Sequence, residues 1–112
     1  MRALLRRARA QEPDILEGGG VSLNTATREA SVAGENMALS FREFELLRFL
    51  MRNADTVCAR ERILDQVWGY RYDGDPRTLD THVKSLRRKL GSEGARIVTH
   101  RNVGYSFKGD GA

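Results

Sequence analysis

The feature that most constrains the fold of this chain is an amphipathic helix predicted over residues 77–90. Leu79, Val83, Leu86 and Leu90 recur at spacings of four, three and four, which places them on one stripe of a helix. Cations and short hydroxyl side chains fall on the opposite face, at Arg77, Thr81, Lys84, Ser85 and Arg88. One side of the helix therefore needs a core, and the other suits the DNA major groove. From this helix alone, a merely solvated basic face remains an open alternative.

The ends of this helix are also indicated by the sequence. Asp75 is a suitable N-cap, and Pro76 fits the first turn because its missing N–H would have no partner there in any case. Gly91 supplies a stop signal after the last leucine. The sequence thus predicts a helix with defined boundaries.

Charge is distributed unevenly along the chain. The 112 residues are enough for one domain with a modest core, and the net charge is +4. Residues 77–108 hold eight Lys or Arg against two acidic residues, whereas residues 13–76 hold seven Arg against eleven Asp or Glu. This polarity predicts a polyanionic partner that binds one end of the molecule.

The sequence shows no signal for export or membrane insertion. No apolar run approaches the ~20 residues that span a bilayer, and the N-terminus lacks an apolar stretch of secretory length. The single cysteine, Cys58, fits a reducing compartment. We therefore expect a cytoplasmic protein without membrane contact.

Short alternating segments over residues 14–39 predict a small antiparallel sheet with one buried face. Apolar residues alternate with polar ones around Val21 and around Ala30, and a turn is expected at residues 34–36, before a strand over 37–39. The glycines at 18–20 lack the spacing of a phosphate-binding loop.

Two further helices are predicted before the basic one. Ser40 and Glu43 form a capping box that opens a helix ending near residue 53, whose large apolar side chains make it the hub of the core. A second helix covers residues 60–68 and ends at Gly69, although Ala59 cannot cap it.

A hairpin is predicted after the basic helix. The strand-like runs 96–101 and 105–108 flank a turn at residues 102–104, with Arg101 close to its tip. An arginine on a thin hairpin suits a narrow minor groove. Together the elements predict an α+β fold. It is a winged helix-turn-helix with an N-terminal antiparallel β-sheet, three helices and a C-terminal β-hairpin wing over residues 96–108.

Four blocks now identify a resemblance: LSFREFELLRFL, RERILDQVWGY, DPRTLDTHVKSLRRKL and VGYSF. In order and spacing they closely resemble the effector domain of OmpR/PhoB-type response regulators, over residues 14–108. The resemblance implies sequence-specific binding of double-stranded DNA by the transcription-regulating output domain of a two-component phosphorelay system. It implies DNA contacts at Arg77, Thr78, Thr81, His82, Lys84, Ser85, Arg87, Arg88, Thr99, Arg101 and Tyr105.

Roles within this set follow from side-chain chemistry. Thr81 and Ser85 are short and are expected to face outward as base-edge readers. The four cations of the helix are expected to clamp phosphates, at Arg77, Lys84, Arg87 and Arg88. Arg101 is the expected minor-groove finger. Asn102 stands where the family commonly has glycine, and His100 where it usually has valine. These departures concern the geometry of the wing.

The resemblance also implies a larger protein. Residues 1–13 resemble the end of a receiver domain and its linker, and residues 109–112 are expected to be a disordered tail. The implied partners are the upstream receiver, a sensor histidine kinase, a direct-repeat DNA operator, and RNA polymerase through the loop 69–76. The fragment alone is expected to be monomeric.

Other function classes fit the sequence less well. A winged protein-interaction module that does not use DNA is the main alternative, but the helix shows no exposed apolar anchor. An enzyme is not expected, because His82 and His100 lie in no metal-binding or catalytic pattern and Cys58 suits a core position. No cofactor is expected. RNA binding fits less well, because the sequence shows no aromatic platform on which bases could stack.

Overall fold

The structure, a computed structural model, describes residues 14–69, 74–75 and 77–109. The predictions for residues 1–13, for Pro76, for most of the loop 69–76 and for nearly all of the 109–112 tail lie outside these residues. In the described part, a four-stranded sheet precedes three helices and a second small sheet. This order matches the predicted architecture.

The N-terminal sheet is antiparallel in sequence order. Its strands are β1 (Ile15–Gly18), β2 (Val21–Asn24), β3 (Glu29–Val32) and β4 (Glu35–Met37). Its inner face buries Leu16, Val21, Leu23 and Ala30. Buried residues alternate with exposed ones along β1 and with half-buried ones along β2, the period-two pattern expected of a sheet with one buried face.

The turn between β3 and β4 lies earlier in the chain than predicted. The expected turn at residues 34–36 and strand over 37–39 were wrong, because Val32 pairs directly with Glu35. The turn consists of Ala33 and Gly34, with φ angles of 54° and 82°. A two-residue hairpin of this kind needs positive φ at both positions. Alanine rarely adopts positive φ, so the sequence did not point to it.

Helix α1 (Phe41–Arg52) begins with the predicted capping box. The Glu43 amide donates to Ser40 Oγ at 3.1 Å, and the Ser40 amide donates to Glu43 Oε1 at 2.9 Å. Asn53 follows as the C-cap, where the sequence placed the end. The helix buries Phe44, Leu46, Leu47, Phe49, Leu50 and Met51 and so forms the hub of the core.

Helix α2 covers residues 60–68 and ends at Gly69 as predicted. Ala59 makes no side-chain capping bond, but the Arg60 amide donates to the Val103 carbonyl at 3.0 Å. The wing turn therefore satisfies one amide at this helix start. The last five residues, Leu64–Trp68, form a π-helical turn that the periodicity did not reveal.

Helix α3 (Arg77–Leu90) has the predicted boundaries. Its stripe of Leu79, Val83, Leu86 and Leu90 is buried, and the Arg77 amide donates to Asp75 Oδ1 at 2.9 Å. Asp75 is thus the cap that the sequence indicated. After α3 the chain forms a 3₁₀ helix, Gly91–Arg96, in which Gly91 takes a φ of 60°.

The C-terminal hairpin is part of a three-stranded sheet. Strands β6 (Ile97–His100) and β7 (Gly104–Phe107) form the predicted hairpin. Strand β6 is one residue shorter at each end than expected, and β7 begins and ends one residue earlier than expected. A two-residue strand, β5 (Cys58–Ala59), pairs with β7 on its other side. The sequence did not predict β5, because two residues are too few to show an alternating pattern. Cys58 is buried there.

Candidate nucleic-acid interface

The outer face of α3 presents an exposed polar row. Arg77, Thr81, Lys84 and Arg88 are all exposed, opposite the buried leucine stripe. The Arg77 side chain is 84% exposed and lies 3.4 Å from the Asp75 carboxylate. Within the described part of the chain, Thr81, Lys84 and Arg88 make no hydrogen bond or ion pair through their side chains. The structure thus brings together four residues that the sequence placed on one face, and leaves the side-chain polar groups of Thr81, Lys84 and Arg88 available.

Ser85 does not face outward as predicted. Its side chain is half-buried, and Oγ donates a 2.6 Å hydrogen bond to Oε2 of Glu43 in α1. A hydroxyl bound to a carboxylate is not a free base-edge group. Ser85 turns towards α1 because a charged carboxylate there accepts its hydrogen bond, and that carboxylate lies 42 positions earlier in the sequence.

Glu43 is the centre of this contact between helices. It is 5% exposed, and besides Ser85 its carboxylate accepts from Lys89 Nζ at 2.7 Å and from the Ser40 amide. Burial alone would raise the pKa of Glu43, but the hydrogen bonds from Lys89, Ser85 and Ser40 outweigh it and lower the pKa to about 2. The charged carboxylate therefore joins α3 to the start of α1.

Arg87 also has an intramolecular partner and is not a free phosphate clamp. Its Nη2 donates to the Ile97 carbonyl at 2.6 Å and to Thr99 Oγ1 at 2.7 Å, and its Nε donates to the same carbonyl at 3.0 Å. The planar guanidinium thereby binds strand β6 with several donors. Arg87 and Thr99 were both predicted to contact DNA, and the structure shows them in contact with each other.

Tyr105 is directed at α3. Its side chain is 6% exposed, and its hydroxyl donates to Asp80 Oδ1 at 2.5 Å. Arg60 Nη1 donates to the same oxygen at 2.8 Å. The hydrogen bond from Arg60 lowers the pKa of Asp80, while burial, followed by the neighbouring Asp80, raises the pKa of Tyr105. At neutral pH the site therefore pairs a carboxylate with a protonated phenol and a guanidinium.

Thr78 and His82 lie along one flank of α3, and both are half-buried. Nδ1 of His82 lies 2.8 Å from the Thr78 carbonyl oxygen, which identifies Nδ1 as the protonated donor nitrogen. The His82 ring packs edge-on against Trp68, with the ring centres 4.9 Å apart. These contacts fix the imidazole beside the exposed row.

The tip of the wing carries Arg101 on an exposed turn. Arg101, Asn102 and Val103 are all exposed, and the Val103 amide donates to the His100 carbonyl at 2.9 Å. Asn102 has a φ of 63°, so it takes the left-handed conformation that glycine would take more easily. His100 Nε2 lies 2.8 Å from Ser106 Oγ across the hairpin. The departures at 100 and 102 are therefore compatible with a closed wing turn.

Arg60 and Glu43 are the residues of this region that sequence reasoning did not connect to α3. Glu43 was recognised only as a capping residue, and Arg60 only as a helix start. Both contacts join residues 20 or more positions apart, for which local patterns give no signal. Among residues 14–69, 74–75 and 77–109, no group of His, Cys, Asp or Glu side chains could hold a metal ion. No helix in those ranges combines the length and apolar character of a bilayer-crossing segment.

Comparison with known proteins places this geometry in context. A family model described as "Transcriptional regulatory protein, C terminal" matches residues 34–107. The sensory transduction protein RegX3 of Mycobacterium tuberculosis is 40% identical over an alignment of 116 positions, which covers 97% of this chain and 51% of that protein. The chain thus spans about half the length of the curated relatives it matches.

Solved structures agree with the fold. The DNA-binding domain of RstA from Klebsiella pneumoniae, in complex with the RstA box, is 33% identical with a TM-score of 0.76. That match covers 86% of this chain and 98% of the RstA chain. The response regulator DrrB of Thermotoga maritima, an OmpR/PhoB homologue, is 28% identical with a TM-score of 0.82, over 95% of this chain and 49% of DrrB.

Proposed function

The chain belongs to the family of C-terminal domains of transcriptional regulatory proteins, and on that premise we propose that it reads double-stranded DNA as an OmpR/PhoB-type output domain. In this proposal α3 enters the major groove and the wing reaches the adjacent minor groove. The observation that carries it is the exposed row on α3, where two cations and a threonine have no competing partner in the described part of the chain. The RstA domain, solved with its DNA box, supports the same function.

The proposal assigns different roles along this surface. Arg77, Lys84 and Arg88 bind phosphates, because they are exposed cations. Thr81, short and central, lies against base edges. Arg101 enters the minor groove from the wing tip, where the electrostatic potential is most negative.

The remaining residues of the predicted set border this surface and have partners of their own. Each has a side chain or backbone group engaged within the protein. We propose that they shape the DNA-facing surface and reach DNA only at its margins; they are Thr78, His82, Ser85, Arg87, Thr99 and Tyr105.

The proposal extends to the whole protein through the resemblance. Residues 1–13 would be the linker and the end of a receiver domain, 14–108 the DNA-binding domain, and 109–112 a tail. The full-length protein would receive phosphate from a sensor histidine kinase in the cytoplasm, bind direct repeats and contact RNA polymerase through residues 69–76. The chain by itself would be monomeric, which light scattering can measure.

Fluorescence titration with labelled duplex tests the proposed function. Arg88→Ala should weaken binding to selected and random duplex alike, and should reduce the slope of log affinity against log salt by about 1. Thr81→Ala should instead change the base preference. Lys108→Ala is the matched control, because exposed Lys108 follows β7 at the end of the sheet opposite the wing tip. Unchanged affinity in Arg88→Ala would show that α3 does not dock as proposed.

A further inference from the structure

Two hydrogen bonds join α3 to a single cross-strand pair of the wing. Thr99 in β6 and Tyr105 in β7 lie directly opposite each other in the hairpin. Asp80 accepts from the Tyr105 hydroxyl at 2.5 Å, and Arg87 donates to Thr99 Oγ1 at 2.7 Å. Asp80 and Arg87 are seven residues apart, which is about two helical turns, so they lie on the same side of α3 roughly 10 Å apart. Each strand of the wing therefore has its own attachment point on the recognition helix.

Each attachment is reinforced by a second contact. Arg60 donates to both carboxylate oxygens of Asp80, at 2.8 Å and 3.3 Å. Arg87 also donates to the Ile97 carbonyl at 2.6 Å. Hydrogen bonds between a hydroxyl and an ionised carboxylate are among the strong ones. The joint between wing and helix is thus built from charge-assisted bonds.

The burial of Tyr105 determines what its hydroxyl can do. The side chain is 6% exposed and its hydroxyl is already bound to Asp80. Donation to a DNA phosphate would require this bond to break, because a phenol has a single proton to donate. The hydroxyl proton of the tyrosine is therefore committed to holding the wing against α3.

The consequence lies at the wing tip. Arg101 is two residues from Thr99 and four from Tyr105, so holding that pair fixes the backbone at the wing tip relative to Thr81 and Lys84 on α3. The spacing between adjacent grooves is set by the DNA, and a wing that is ordered before binding does not lose conformational entropy on binding. A preset wing can then place its arginine in the minor groove while α3 occupies the major groove.

We propose that Tyr105 and Arg87 are positioning residues. Tyr105 holds the wing against α3 by its hydrogen bond to Asp80, and Arg87 does so by its hydrogen bond to Thr99. They thereby set the preference of the domain for a narrow minor groove beside its major-groove site. This inference rests on the proposed function, in which Arg101 enters that groove. The resemblance implies DNA contacts at Tyr105 and Arg87, and this inference gives both residues a role that acts through other side chains.

The test uses Tyr105→Phe, which removes one hydroxyl and keeps the buried ring. The probe is a duplex element that the wild-type chain selects from a randomised library, flanked by a run of A·T pairs. A second duplex replaces the adenines of that run by 2,6-diaminopurine. The added amino group projects into the minor groove and leaves the major-groove edge unchanged. The ratio of the two affinities reports on minor-groove binding alone.

The wild-type chain should prefer the A·T flank by about tenfold, the size of one good base contact. Tyr105→Phe should reduce this ratio to within about twofold, chiefly through a loss of affinity for the A·T duplex. A wild-type ratio in Tyr105→Phe would overturn the inference. If the wild-type chain itself showed no ratio, the minor-groove part of the proposed function would fail and the inference with it. That failure is recognisable in the wild-type chain alone.

A double-mutant cycle separates positioning from general destabilisation. Arg101→Ala should abolish the ratio in the wild-type background and change it little in the Tyr105→Phe background. Lys84→Ala, on the face of α3, should weaken both duplexes equally in either background. Thr99→Val, at an exposed position, should lower the ratio in the same direction with less risk to folding. Independent, multiplying effects of Tyr105→Phe and Arg101→Ala on the ratio would contradict the inference.

Discussion

Lys89, near the end of α3, donates a 2.7 Å hydrogen bond from Nζ to Oε1 of Glu43 in the first turn of α1. The same carboxylate completes the capping box with Ser40 and accepts from Ser85. One glutamate therefore helps to cap the N-terminus of α1 and also binds α3, the helix proposed to enter the major groove. Because the carboxylate is buried and charged, the attachment depends on pH.

The first prediction concerns acid stability. The pKa of Glu43 is lowered from 4.5 to about 2, so its charged form stabilises the fold above pH 4.5. This contribution is lost as the pH falls from 4.5 through 2, because the unfolded chain takes up the proton first. Glu43→Gln, which keeps the shape, should lower the free energy of unfolding at pH 7 on the order of 2 to 3 kcal/mol. Urea denaturation at pH 7, 4 and 2.5 should show that the free energies of unfolding of wild type and Glu43→Gln become more similar as the pH falls. A difference independent of pH would contradict the assignment.

The second prediction separates two hydroxyls on α3. Ser85→Ala removes a donor to Glu43 and should lower the free energy of unfolding by about 1 to 2 kcal/mol. Its effect on base preference should be small. Thr81→Ala, at an exposed position, should have little effect on stability and should alter base preference in the proposed complex. Thermal unfolding and selection on randomised duplexes measure the two effects. The reverse assignment of effects would show that Ser85 is the base reader.

The third prediction concerns the turn of the wing. Asn102 has a φ of 63°, a conformation that costs alanine roughly 1 kcal/mol and costs glycine little. Asn102→Gly should therefore fold with stability equal to wild type or slightly higher, and Asn102→Ala should be less stable by about that amount. Thermal melts of the three proteins make the comparison. Equal stability of Asn102→Ala and Asn102→Gly would indicate that this turn does not require the left-handed conformation.

Local patterns predicted the elements of the fold well, for reasons visible in particular residues. Leu79 and its periodic partners are buried as the spacing predicted, and Ser40 and Glu43 form the expected box. These signals operate within one or two helical turns, where the sequence determines the geometry directly. The turn at Ala33 and the strand at Cys58 were not predicted, because neither carries the residue types or the length that mark such elements.

The candidate site was predicted in part for the same reason. A helical wheel separates outward from inward positions but does not show which outward positions another element covers. Ser85 and Arg87 fall on or beside the polar face, yet Glu43 lies 42 residues before one and Ile97 ten residues after the other. Tertiary packing determines these contacts. The exposed remainder of the face, including Lys84, is what the wheel identified correctly.

The fourth prediction tests the central claim, that the polar face of α3 and the wing tip form the DNA-binding surface. The measurement is amide chemical-shift mapping by NMR of the ¹⁵N-labelled chain, titrated with a duplex selected by the wild-type protein. The largest shifts should fall at Thr81, Lys84 and Arg101, while the β1–β4 sheet, including Ile15 and Ser31, stays nearly unchanged. If the sheet shifted strongly and Thr81, Lys84 and Arg101 did not move, DNA would bind elsewhere on the molecule and the account would be wrong.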